Sequence, residues 1–170
     1  MIGKSILLVL GIMGSVPPSG AGVIYRGHYS NVDYGFEITI PPGFTGQGAA
    51  PGAPNHGFVI QTKDGSTILV EARYDVSVDS DGENFEQTVR RSHGPPNAKL
   101  GGLPAWDSNV IPGEAAPTNT GNGITARYVS KQGDAIIYTI TENHSSSRGH
   151  DASDALYKKL VRSFRLIPIQ

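Results

Sequence analysis

The sequence predicts an α+β fold, a central antiparallel β-sheet flanked by two or more helices. Two observations carry this. Several stretches alternate apolar and polar residues and are joined by short glycine-containing turns, the pattern of half-buried hairpin strands. Two other stretches repeat their apolar residues at helical spacing, and they punctuate the hairpins instead of alternating with single strands.

The first strand is Tyr34–Ile40, where Phe36, Ile38 and Ile40 alternate with Glu37 and Thr39. Pro41-Pro42-Gly43 ends it, because proline has no N–H for a ladder. Residues 45–57 are rich in Gly, Ala and Pro and read as an irregular loop. Gly57–Thr62 and Thr67–Tyr74 form a hairpin around Lys63-Asp64-Gly65-Ser66, since Asp-Gly between apolar runs favours a tight turn. Glu83–Ser92 is a short amphipathic helix carrying Phe85 and Val89, capped near Asp81 and ended by Gly94-Pro95-Pro96. A strand over Leu103–Ile111 precedes a second Gly/Pro/Asn-rich loop, Pro112–Asn122. Ile124–Ser130 and Ala135–Thr141 make another hairpin around Lys131-Gln132-Gly133-Asp134. Asp151–Ser163 is the strongest helix. Ala152, Ala155, Leu156, Leu160 and Phe164 form its apolar stripe, with Asp151 and Asp154 early and Lys158, Lys159 and Arg162 late, as the helix dipole favours. Phe164–Ile169 closes as a strand.

Ahead of this domain stands a cleavable export signal over residues 1–21. Lys4 precedes the apolar run Ile6–Met13, and Gly14, Pro17, Pro18 and Gly20 break any helix after it. The run is about eight residues long, against the ~20 that a membrane span requires. Ser19-Gly20-Ala21 supplies the small residues of a cleavage site, placing the cut between Ala21 and Gly22 and leaving 22–170 as a single domain. No cysteine is available for lipid attachment, so the expected destination is the periplasm or the medium, without a membrane anchor.

Composition narrows the function classes. Of 14 basic residues only Lys4 lies in the leader, and all 15 acidic residues lie beyond it, so the mature charge is near balance. Such a surface lacks the basic footprint for nucleic acid or anionic lipid. The absence of cysteine removes disulfides, thiolate nucleophiles and Cys-ligated zinc together. Stability then falls to the hydrophobic core, as is common in bacterial periplasmic proteins.

Three landmarks carry a family resemblance. They are Tyr34-Gly35-Phe36-Glu37-Ile38-Thr39-Ile40-Pro41-Pro42-Gly43-Phe44, then Gly102-Leu103-Pro104-Ala105, and Leu156-Tyr157-Lys158-Lys159-Leu160-Val161-Arg162-Ser163-Phe164-Arg165. The chain resembles the PsbP-like fold family over Tyr25–Ile169. That family takes in the extrinsic PsbP subunit of photosystem II, a Ran-binding nuclear transport factor and bacterial DcrB-like periplasmic proteins. The resemblance implies an α/β/α sandwich and a binding or assembly role. It implies no reaction, no cofactor and no functional residue to carry over.

Catalytic patterns are weak. The histidines His28, His56, His93, His144 and His150 show no pair at i+2 or i+4, so no local zinc motif forms. His144 and His150, six apart around Ser145-Ser146-Ser147, hint at metal but read as a solvated loop. Asp75, Asp79, Asp81 and Glu83 are the acidic cluster. Aligned on Gly82 as an EF-hand, they put Ser77 and Thr88 where carboxylates belong, so Asp79–Asp81 reads as a turn and helix cap. Gly46-Gln47-Gly48 lacks a third glycine for a nucleotide loop, and no Gly-x-Ser-x-Gly or Ser-x-x-Lys supports a serine nucleophile. Asn143-His144-Ser145 is a glycosylation sequon that carries nothing in a bacterial protein, and Trp106 reads as core.

The leading expectation is therefore an exported, non-enzymatic binding or assembly protein of the bacterial cell envelope, with no cofactor and another envelope protein as its partner. The loops Thr45–Asn55 and Pro112–Asn122 are its candidate contact surfaces. The competing expectation is a hydrolase or metal-dependent enzyme whose residues meet only in three dimensions, with His56 or His93 working beside Asp75 or Asp107. A structural component of the envelope, marked by a large exposed apolar patch, is the third.

Overall fold

The computed structural model describes residues 22–76, 85–107, 121–131, 133–144 and 149–169. The expected export signal with Ala21, the acidic positions Asp79, Asp81 and Glu83 with the expected helix cap, most of the loop 112–122 and Ser145–Ser147 lie outside them.

The fold is α+β and mostly sheet. Strands β1 (Ile24–Tyr25), β2 (Gly27–Asn31), β3 (Phe36–Ile40), β4 (Gly46–Gly48), β5 (Gly57–Gln61) and β6 (Thr67–Tyr74) precede helix α1 (Phe85–His93). Then come β7 (Ala98–Leu100), β8 (Leu103–Trp106), β9 (Gly123–Val129), β10 (Ala135–Asn143), helix α2 (Asp151–Ser163) and β11 (Arg165–Leu166). Eight strands form one sheet in the order β1-β4-β5-β6-β10-β9-β8-β7, and β11-β3-β2 form a second. Every pairing among the described residues is antiparallel.

β10 is the centre of the large sheet, and its alternation sorts the molecule into layers. Ile136, Tyr138 and Ile140 enter the main core, where α2 brings Leu156, Tyr157 and Leu160 and β3 brings Phe36, Ile38 and Ile40. The ring of Phe164 stacks on Phe36 at 5.4 Å and meets Tyr138 edge-on at 5.3 Å, so the end of α2 is tied to both sheets. Ile137 points the other way, to Trp106 and Val89 of α1. Trp106 is core, and its indole N–H donates to Gly94 O at 2.9 Å.

The cover on the core side is thus one helix together with a three-stranded sheet, a heavier share of β than an evenly flanked sheet would have. Several segments also depart from the sequence reading: β1, β2 and β7 were not expected, and the closing strand is Arg165–Leu166 instead of Phe164–Ile169. β4 lies within the presumed loop 45–57, because a side chain at Gly46 would strike the Phe58 ring at 2.7 Å, so glycine is what lets this strand sit close. The strand expected over Leu103–Ile111 ends at Trp106 within the described range. Among the described residues no helix is long and apolar enough to cross a membrane.

Candidate metal centre

The α2-facing row of β10 continues past Ile140 to Glu142 and, one step beyond the strand, to His144. Glu142 is fully buried beneath the first turn of α2, a rare place for a carboxylate. His144 Nε2 lies 3.4 Å from Glu142 Oε1 and 3.3 Å from Asp154 Oδ1, with Asp154 supplied by that first helical turn. One donor atom from each of the three lies within 4.8 Å of the others.

The orientation of these atoms matters more than their proximity. Glu142 Oε1 and His144 Nε2 are both buried without a hydrogen-bond partner, so the imidazole is close to the carboxylates but not aligned to donate to them. Even a protonated His144 would balance only one of the two carboxylates, and no lysine or arginine among the described residues pairs with either. The separations suit a shared ion. A tetrahedral cation held at about 2.0–2.1 Å spaces its ligands about 3.3 Å apart.

Asn122 completes the arrangement from the start of β9. Its Nδ2 donates to Glu142 Oε2 at 2.7 Å and to Asp154 Oδ1 at 3.1 Å, fixing both carboxylates and leaving Oε1 for the centre. Glu142 N donates in turn to Asn122 O at 2.7 Å, and Gly121 packs directly against the Glu142 carbonyl. Nearby, burial pushes the Tyr157 phenol up from its ordinary value, with the charges of Asp107 and Glu142 adding to the effect.

His150 stands at the threshold of α2. Its ring stacks on that of His144 with centroids 3.8 Å apart and planes 5° from parallel. The reading of these two histidines as separate residues of a solvated loop is corrected on this point. Both of His150's ring nitrogens are buried and unpartnered. A cavity of about 460 Å³ opens beside this turn, lined by Phe44, Lys63, Asp64, Gly149 and Ala152 among others.

The acid–base pairs expected from sequence do not assemble. His56 Nδ1 lies 2.8 Å from the Tyr34 hydroxyl and 3.1 Å from Ala72 O. Asp75 is engaged by Arg127 at 2.7 Å. His93 is exposed at the end of α1, and exposed Asp107 receives no histidine among the described residues. Thr45–Asn55 is less free than a contact loop, since β4 is paired within it and Asn55 accepts from Tyr29 and Asn31.

The signal missed was Glu142-x-His144, whose spacing of two puts both side chains on one face of an extended chain. Asp154 was visible only as a helix-dipole residue. Its approach is tertiary. No family model, curated protein or solved structure matches the chain.

Proposed function

We propose that the protein is an exported, non-enzymatic binding protein of the bacterial cell envelope whose ligand is a divalent metal cation held by Glu142, His144 and Asp154. The observation that carries this reading is the fully buried Glu142 carboxylate, with Oε1 unpartnered and turned to the equally unpartnered His144 Nε2. A buried charge without compensation is strongly unfavourable, and a divalent cation would neutralise both carboxylates at once. The PsbP-like sandwich belongs to the same proposal, supported by an antiparallel sheet with Val89 of α1 on one face and α2 on the other. Export and the cut before Gly22 rest on the leader pattern, and mass spectrometry of the secreted form tests them: a mature start far from Gly22 would remove that part.

The metal reading is tested by titrating the protein with Zn²⁺, Co²⁺, Ca²⁺ and Mg²⁺ in a calorimeter. One equivalent bound by the protein and lost in His144→Ala supports it. No uptake of any of the four overturns it.

A metal-dependent hydrolase is the second reading, favoured by the cavity beside His150 and by a donor set of three that leaves a coordination position for water.

A further inference from the structure

We propose that His150 is the fourth ligand of this centre, closing it as a tetrahedral site of two nitrogens and two oxygens for a cation of the zinc class. The inference rests on the metal-binding reading and decides between its two forms. A site with four protein ligands holds its ion, whereas a site with three keeps a position for reacting water.

The position of His150 is the first argument. It occupies the N-cap of α2, where Ser, Thr, Asp or Asn would normally accept a backbone N–H, and its side chain makes no capping bond. Its carbonyl instead accepts from Asp154 N at 2.8 Å and from Ser153 Oγ at 3.0 Å, which fixes the residue one turn before the Asp154 ligand. The helix start is therefore built around a residue that contributes nothing to capping with its ring.

The state of that ring is the second. A neutral imidazole carries one N–H donor and one lone-pair acceptor, and here both nitrogens are buried with neither used. Stacking on His144 brings the ring to within 3.8 Å of a ligand ring without satisfying it. In the stacked pose the lone pairs of the two rings lie in parallel planes and cannot converge on one ion. Engagement consequently requires His150 to swing out of the stack about its side-chain torsions, replacing a ring contact by a metal–nitrogen bond.

Charge and donor type set the ion. Two carboxylates and a divalent cation sum to zero, so neutral imidazoles complete the shell without adding charge to a buried place. Imidazole nitrogen suits zinc-class ions, while calcium and magnesium take oxygen and more ligands.

The test uses Co²⁺ and Zn²⁺ on the full protein. Cobalt should give the intense visible band of four-coordination, and ring ¹⁵N shifts on adding Zn²⁺ should move for a nitrogen of His144 and one of His150. His150→Ala should weaken Zn²⁺ binding at least tenfold and weaken the cobalt band. The ¹⁵N measurement needs no substitution, so a folding defect in the variant cannot mimic the result. Binding with only the His144 nitrogen shifted, or with His150→Ala unchanged in affinity and spectrum, overturns the fourth ligand and leaves the three-donor site. No binding by the unaltered protein overturns both.

Discussion

The side-chain amide of Asn122 donates to Glu142 Oε2 at 2.7 Å, and this one contact decides which carboxylate oxygen faces His144. Asn122 also reaches Asp154 Oδ1, so a single residue sets the aim of two ligands. Asn122→Ala should lower metal affinity about 10- to 100-fold, the usual effect of removing an outer-shell partner. It should also destabilise the metal-free protein by about 1–3 kcal/mol, since buried acceptors lose their donor. Calorimetric titration and urea unfolding check the two effects separately.

Gly121 holds the same corner by its lack of a side chain. A Cβ there would come within 1.6 Å of the Glu142 carbonyl oxygen. Gly121→Ala must push the chain leading into β9 away from β10, at a cost of at least about 2 kcal/mol. The midpoint of urea unfolding should fall accordingly, and metal binding should weaken with it.

The β5–β6 turn supplies a pH dependence of its own. Asp64 accepts from the Thr62 hydroxyl and from Ser66 N, and these bonds lower its pKa from 3.8 to about 2. A depressed folded-state pKa contributes stability that is fully present above the unfolded value and lost as pH falls through the folded one. Between pH 4 and 2 the protein should lose this contribution, and Asp64→Asn should flatten that part of the stability curve. Thermal melts across the window measure it.

Tyr138 on β10 donates its hydroxyl to Tyr34 O at 2.6 Å in the buried layer between the sheets. Tyr138→Phe leaves that carbonyl without its donor and should cost about 1–3 kcal/mol, without altering metal affinity. Chemical denaturation checks the first expectation and titration the second.

What the sequence made legible follows from how local each cause is. The spans of β6 and α2 match the sequence reading residue for residue. The buried face of α2 does not: Ala152 and Ala155 of the expected stripe are exposed, and Ser153 and Tyr157 pack inward with Leu156 and Leu160. β4 was hidden because Gly46-Gln47-Gly48 has a loop's composition, and its close packing, the Phe58 ring against Gly46 and the Tyr25 ring against Gly48, is tertiary. β2, Gly27–Asn31, was hidden as well, since just Tyr29 and Asn31 of its five residues are buried. The candidate site divides in the same way. Glu142 and His144 carry a readable spacing, whereas Asp154, Asn122 and His150 join them through the packing of α2 onto β10, and no local pattern encodes that.

Glu142→Gln provides the most direct test, because it keeps the shape and removes the charge. The metal-free variant should be at least as stable as the original, since a buried charge with Oε1 unpartnered has gone. Zn²⁺ affinity should fall about 100-fold or more, equivalent to about 2.8 kcal/mol. If instead the variant melts several degrees lower and Zn²⁺ uptake is unchanged or was never present, Glu142 is the partner of a protonated His144 in a structural ion pair, and the metal centre is contradicted.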